Sequence, residues 1–124
     1  MRYTVDRSDD AATLKLHEER LDATNSGDLK GELLILCSSG VEILFVDLSE
    51  VNFSDSAGLS AMLLVHREMK SVNGYAIFVG LTDRVKALVE LAQLDRVLYI
   101  YPTREDALAD LESGGDDDDD ETTA

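Results

Sequence analysis

The chain is poor in cysteine, proline and tryptophan, with one, one and none among its 124 residues. The single cysteine, Cys37, excludes an intrachain disulfide, and its place in a leucine-rich helical stretch predicts a small core residue. No apolar run approaches the ~20 residues of a membrane-spanning helix, and no basic-then-apolar leader opens the chain. These absences predict a single domain that is cytoplasmic, does not insert into a membrane and folds on its own apolar core.

Basic residues are also scarce: 11 Lys and Arg stand against 26 Asp and Glu, for a formal net charge of -15. Residues 116–121 supply six of these negative charges, which leaves nine on the rest of the chain. Both parts would repel phosphates, so the composition disfavours nucleic acid as a partner. We expect a domain over residues 1–112, followed by a disordered acidic tail at 113–124.

The sequence lacks the common signatures of enzymes and metal sites. It has no GxxxxGK[ST] loop to cradle a nucleotide, no HExxH or paired cysteines for zinc, and no GxSxG nucleophile elbow. Neither His17 nor His66 has sequence neighbours that would complete a triad, so both are predicted to be ordinary surface or half-buried histidines. The sequence therefore predicts no catalytic residue, no metal and no cofactor.

A carboxylate at the end of a buried strand invites one further comparison, with the receiver domains that accept phosphate on aspartate. Asp47 and Asp55 are the candidates. Receiver domains also need an acidic pair after the first strand and a lysine after a late strand. Here the pair Asp9-Asp10 falls in a predicted hairpin turn, and Tyr101-Pro102-Thr103 ends the last strand, so this constellation is incomplete.

The most informative stretch covers residues 44–69. An apolar run at 41–48 predicts a strand buried on both faces, and a polar turn follows at 49–54. A helix then begins at Asp55-Ser56-Ala57-Gly58-Leu59, where small residues allow close approach and free N–H groups favour anions. Helical spacing predicts one stripe towards the sheet (Leu59, Met62, Val65, Met69 and Val72) and another set away from it (Ala57, Ser60, Ala61, Leu64 and Arg67).

The segment FSDSAGL resembles the Asp-Ser-Ser-Gly-Leu signature of STAS domains, the family of bacterial anti-sigma factor antagonists. Asp55, Ser56, Gly58 and Leu59 match, but Ala57 stands where the family carries its phosphorylatable serine. The resemblance implies that the motif and its helix dock on a kinase-fold anti-sigma factor, which is also the kinase. It implies these partner-binding residues: Ser54, Asp55, Ser56, Ala57, Gly58, Leu59, Ser60, Ala61 and Leu64.

Ser56 has two interpretations. As a helix cap it would contribute ~1 kcal/mol, although Asp55 competes for that role. As an alternative phosphoacceptor it would lie one residue from the family's slot, and a one-residue shift turns a helical side chain by ~100°. We therefore predict the cap.

The remaining pattern predicts an α/β fold: an N-terminal antiparallel hairpin, a mixed sheet with a largely parallel centre, and about four helices. The strands are expected at 1–6, 12–16, 41–48, 75–79 and 97–101. Thr24 or Ser26 should cap a helix that runs to about residue 38, and Thr82 or Asp83 and Thr103 should start the last two helices. Leu108 and Leu111 are the expected core contacts of the final helix. The resemblance implies the same architecture.

Two other functions stay open at this level. STAS subunits also brace lipid-transport ABC systems or sensory assemblies, and such a structural role would suit the loss of the acceptor serine. A small phosphotransfer or hydrolytic enzyme acting through Asp55 or Ser56 would need a base and an oxyanion site that the sequence does not supply. The sequence leaves the oligomeric state open.

Overall fold

The helices and strands follow the polarity pattern of the chain. A computed structural model describes residues 1–112, so the predicted acidic tail lies outside the described residues. The strands are β1 (Tyr3–Ser8), β2 (Ala11–Leu16), β3 (Arg20–Leu21), β4 (Ile43–Asp47), β5 (Phe53–Ser54), β6 (Tyr75–Val79) and β7 (Tyr99–Tyr101). The helices are α1 (Ser26–Cys37), α2 (Ser56–Ser71), α3 (Asp83–Leu91) and α4 (Arg104–Glu112), with a 3-10 turn at Leu94–Arg96.

Five strands form one mixed sheet in the order β1-β2-β4-β6-β7. β1 and β2 are the predicted antiparallel hairpin, with Tyr3 opposite Leu16. β2, β4, β6 and β7 are parallel to one another. Parallel neighbours need crossover connections, which α1, α2 and α3 supply. The predicted α/β class, with a parallel centre and four helices, is confirmed.

The core lies on both faces of this sheet. Side chains alternate along a strand, so Leu44 and Val46 of β4 join a large cluster with α1, α2 and α3, while Phe45 joins a smaller one with α4. All three are at most 1 % exposed, as expected of a strand covered on both faces. The predicted contacts Leu108 and Leu111 pack against the smaller cluster. This layering brings the helix N-termini to the edge where the parallel strands end.

The predicted polar turn before α2 contains a strand that the sequence did not reveal. Phe53–Ser54 pairs in parallel with Arg20–Leu21. The backbone N–H groups of Asn52 and Phe53 both donate to the carbonyl oxygen of Glu19, at 2.7 and 3.1 Å. Each strand has only two residues, too few to show the alternation that identifies a strand. This small sheet holds the chain before α2 against the chain before α1.

Three predictions about α2 are wrong. Val72 was expected to face the sheet, but the helix ends at Ser71 and Val72 is 52 % exposed. Ala61 was expected to face away from the sheet, yet it is 1 % exposed; α2 also packs against α1, so its buried surface is wider than the predicted stripe. His66 was expected to be at least half exposed, but it is 5 % exposed. The rest of the predicted stripe is buried or half-buried against the core: Leu59, Met62, Val65 and Met69.

Other boundaries move by one or two residues. The first strand extends to Ser8 because a tight turn at Asp9 and Asp10 follows it, with Asp9 at a φ of 53°. The buried strand is shorter than predicted, Ile43–Asp47 rather than 41–48. Asn25 precedes α1 in place of the predicted caps, while the hydroxyl of Thr24 donates a hydrogen bond to Asp22 at 2.6 Å.

In residues 1–112, every helix is too short or too polar to cross a bilayer.

Candidate protein-binding site

The carboxylate of Asp55 holds the start of α2. Its Oδ1 accepts hydrogen bonds from the backbone N–H groups of Ala57 at 2.9 Å and Gly58 at 3.1 Å. Asp55 therefore caps the helix, and the prediction that Ser56 is the cap is wrong. Ser56 is the first helical residue and its side chain is exposed. A carboxylate also places negative charge at the positive end of the helix, which adds to the stabilisation.

The other oxygen of the same carboxylate reaches a second element. Asp55 Oδ2 accepts a hydrogen bond at 3.2 Å from the backbone N–H of Ala23, in the loop between β3 and α1. Within that loop Asp22 accepts hydrogen bonds from both the hydroxyl and the backbone N–H of Thr24, which hold the pKa of Asp22 below its usual range. The loop and the motif therefore form one ordered surface.

Gly58 packs inward rather than outward. A Cβ at this position would lie 2.1 Å from Ser54 Oγ and 2.5 Å from the carbonyl oxygen of Leu21. Because the second contact is with backbone, only glycine fits without a shift in the small sheet. The glycine of the motif thus serves close packing of α2 on β3 and β5, not contact with a partner.

The nine predicted partner-binding residues divide by exposure. Ser54, Gly58 and Ala61 are buried, so they support the helix and cannot contact a second protein directly. Six others reach the surface and are called the motif face below: Asp55, Ser56, Ala57, Leu59, Ser60 and Leu64. Ala57 is half-buried, so a side chain at the family's phosphoacceptor position remains reachable from solvent.

The sequence did not indicate that a cation, Arg20, lies beside the motif face. The guanidinium of Arg20 stacks over the ring of Phe53 at 4.1 Å and pairs with Asp22 at 3.2 Å. Arg20 and Phe53 are register partners in the small sheet. No signal in the sequence could have joined them, because 33 positions separate them and neither strand is recognisable. Their stack extends the surface next to the motif face.

The receiver-like interpretation of Asp47 finds no support in the geometry. Asp47 ends β4 and accepts a hydrogen bond from the backbone N–H of Ser49 at 2.9 Å. The carbonyl oxygen of Asp10 binds the N–H groups of Glu42 and Ile43, at the opposite end of β4. The acidic pair and Asp47 therefore lie at opposite edges of the sheet. Within residues 1–112, no group of three or more His, Cys, Asp or Glu side chains is placed to hold a metal ion.

His17 has partners that the sequence did not indicate. Its Nε2 lies 3.1 Å from Thr4 Oγ1 and its Nδ1 lies 3.1 Å from Glu50 Oε2, which Lys15 also approaches at 3.7 Å. A hydroxyl, an imidazole and a carboxylate are also the groups of a nucleophilic relay. In this protein the three groups lie on the surface between an edge strand and a loop. Their contacts link β1 to the segment that leads into the motif.

Comparisons with known proteins agree on one family. The STAS domain family model matches residues 2–107. The candidate anti-sigma factor antagonist BtrV of Bordetella bronchiseptica is 26% identical over 109 residues, which cover 88% of this chain and 93% of the relative.

Two solved structures share the fold. The crystal structure of a candidate anti-sigma factor antagonist from Thermotoga maritima superposes with a TM-score of 0.77 at 23% identity, covering 89% of this chain and 94% of that one. SpoIIAA, the Bacillus cell fate determinant, in its phosphorylated form, superposes with a TM-score of 0.66 at 16% identity, covering 89% and 99%.

Proposed function

Because the chain belongs to the STAS domain family, we propose that it is a cytoplasmic, non-enzymatic anti-sigma factor antagonist. It binds a kinase-fold anti-sigma factor through the motif at residues 55–59 and the exposed side of α2. The observation that carries the proposal is the motif face, which two hydrogen bonds to Oδ1 of Asp55 hold in place. A preorganised surface loses little conformational entropy on binding.

The chemistry of the motif face suits a protein partner. The first turn of α2 contains no acidic side chain, and its outward residues are small or apolar. Small side chains let a partner approach the helix backbone closely, and Leu59 and Leu64 add apolar area. The arrangement supports docking of a complementary protein surface and offers no catalytic group.

Ala57 makes the proposed antagonist unresponsive at the family's usual position. A phosphate there would add about -1.5 to -2 charges and would break a desolvated interface. Alanine has no hydroxyl to accept it. The protein therefore stays in its binding-competent form, and its abundance sets the level of free anti-sigma factor.

Ser56 is an exposed hydroxyl directly beside the family's position, and it could restore control. It is exposed and begins α2 directly after Asp55. A phosphate on Ser56 would lie beside the carboxylate that already occupies the first free N–H groups of the helix. The repulsion between these negative groups would loosen the cap and oppose binding.

The test measures binding to a purified kinase-fold anti-sigma factor from the same cell, with and without ATP. We expect binding that ATP does not weaken, and an intact mass without added phosphate. The Ala57→Ser variant should gain one phosphoryl group and then lose affinity. Phosphate on Ser56 of the unaltered chain would contradict permanent competence, and failure to bind any kinase-fold protein would contradict the function. If the chain instead binds an ABC-transporter ATPase in the same binding measurement, that result would favour the structural subunit role.

A matched pair of variants locates the interface. Ser60→Arg adds a large side chain to the motif face, whereas Ser71→Arg makes the same change at the other end of the same helix, where Ser71 is also exposed. We expect Ser60→Arg to weaken binding by about tenfold or more and Ser71→Arg to leave it within about twofold. Equal effects would place the contact elsewhere.

A further inference from the structure

The last strand of the sheet has an open edge. β7 follows β6 at the end of the strand order, and in residues 1–112 no strand pairs with its outer side. Backbone N–H and C=O groups along such an edge are available to an added strand. Short edge strands limit this pairing, and β7 has three residues. Pairing at this edge therefore needs side-chain contacts to give useful affinity.

A groove beside this edge supplies such contacts. It lies between α3 and β7 and has a volume of about 350 Å³. Its floor is apolar, with Val89 from α3 and Leu98 and Ile100 from the chain that forms β7. Side chains alternate along strands, so every second residue of a strand added to β7 would point to the face that carries Ile100. The groove therefore fits a segment with apolar residues at alternate positions.

The rim of the groove is acidic. The carboxylates of Asp83, Glu90 and Asp95 line it, against a single ammonium group from Lys86. In the described part of the chain, none of these three carboxylates forms an ion pair. All three are exposed, so they can meet cations at a small desolvation cost. The charge of the rim selects Lys or Arg in a segment that enters the groove.

From these three features we propose that the groove between α3 and β7 binds an extended segment of a partner protein, which adds a strand to β7. The segment carries its apolar side chains at alternate positions, on the face that meets the groove, and Lys or Arg side chains at the outer positions of that same face, where they reach the acidic rim. Backbone pairing and burial on the apolar floor together give the affinity, and the spacing of the apolar side chains and the acidic rim give the selectivity. The groove shares no residue with the motif face, so this binding is independent of the proposed antagonist function.

The test titrates the full chain with a short synthetic peptide, followed by NMR of backbone amides; its alternate residues are lysine, valine, valine and lysine, separated by threonine, so that valine and lysine share one face. We expect saturable shifts at α3 and β7 and none at the motif face. The same peptide with N-methyl groups on alternate backbone nitrogens keeps its charge and apolar area but cannot pair. It should bind about tenfold more weakly, because strand hydrogen bonds are lost.

Two further comparisons separate the contributions. A lysine–serine peptide of equal charge should not saturate, because it lacks apolar side chains for the floor. Glu90→Gln should weaken binding by roughly two- to fivefold at low salt, whereas the equally conservative Glu68→Gln, exposed on α2, should not. Equal binding of the lysine–serine or N-methylated peptide, or shifts confined to other surfaces, would overturn the proposal. So would dimerisation of the chain through β7, which would make a second copy the occupant.

Discussion

The side-chain carboxylate of Asp55 accepts a hydrogen bond from the backbone N–H of Ala23, 32 positions earlier in the chain. The same carboxylate caps α2. One side chain therefore fixes both the first turn of the motif helix and the loop that borders it. Asp55 is therefore part of the motif face and also holds its shape.

Removing this carboxylate should destabilise the protein. We expect Asp55→Ala to lower the free energy of unfolding by about 1–2 kcal/mol, because two helix N–H groups and that of Ala23 lose their acceptor. Asp55→Asn keeps an oxygen acceptor and should cost less. Urea denaturation measures the change. The control is Asp28→Ala, which removes an exposed carboxylate from the first turn of α1 and should cost about 0.5 kcal/mol. If Asp55→Ala lowers the free energy of unfolding no more than Asp28→Ala does, Asp55 does not hold the motif helix and the loop as described.

Two helical glycines should respond oppositely to alanine. Gly58→Ala places a Cβ against the carbonyl oxygen of Leu21 and should destabilise the fold by about 1–3 kcal/mol. Gly31 on α1 has no atom within 4 Å of such a Cβ. Gly31→Ala should therefore stabilise by about 0.5–1 kcal/mol through helix propensity. Thermal unfolding of both variants measures the two shifts. A stabilising shift in Gly58→Ala would show that the packing beneath Gly58 is not tight, and a destabilising shift in Gly31→Ala would contradict the open space at that position.

Cys37 should be almost inert in the folded protein. Burial, with a smaller contribution from the charge of Glu68, raises the pKa of its thiol to about 11. Since the thiolate is the reactive form, a disulfide reagent at neutral pH should react on the order of 100-fold more slowly with the native chain than with the chain in urea. A surface thiol made by Ser71→Cys, in a Cys37→Ala background, should react quickly both in the native chain and in urea. Fast reaction of native Cys37 would show that α1 opens readily.

His66 should make stability depend on pH. Burial, followed by the positive charges of Lys70 and Arg67, lowers the pKa of its imidazole, and its Nδ1 is buried without a hydrogen-bond partner in residues 1–112. Below about pH 6.5 the unfolded chain takes up a proton that the folded chain still refuses, so the free energy of unfolding falls as pH falls. Between pH 7 and 5, His66→Gln should flatten this decline. The NMR titration of His66 should give a midpoint below 6.5; an unshifted midpoint would refute the assignment.

Much of the fold could be predicted from local pattern. The alternation along β2 and the continuous apolar run of β4 identify a strand with one covered face and a strand with two. Proline at position 102 and the cap at Thr103 mark where β7 ends and α4 begins, and Asp106 N–H does bind Thr103 Oγ1 at 3.0 Å. The wrong predictions on α2 concern residues whose exposure depends on which parts of the fold pack against the helix. Ala61 is small enough to suit either environment, and only the tertiary packing around α2 buries it.

The motif itself shows where local information ends. Asp55, Ser56, Ala57, Gly58 and Leu59 are recognisable as a helix start from their types and order, because capping and small-residue preferences act over a few residues. Which of them faces a partner depends on the β3–β5 pairing, which joins segments more than 30 positions apart.

By itself the sequence determined the α/β class, the order of the helices and of the strands of the main sheet, the place of the motif and the loss of a phosphorylatable hydroxyl at Ala57. These follow from short-range rules: hydrophobic period, turn chemistry and the identity of one side chain. Only the tertiary structure decided that Asp55 rather than Ser56 caps α2, that Gly58 is buried under Leu21, and that an acidic groove lies beside β7. Each of these depends on atoms from distant positions meeting at contact distance, and no local preference encodes such a meeting.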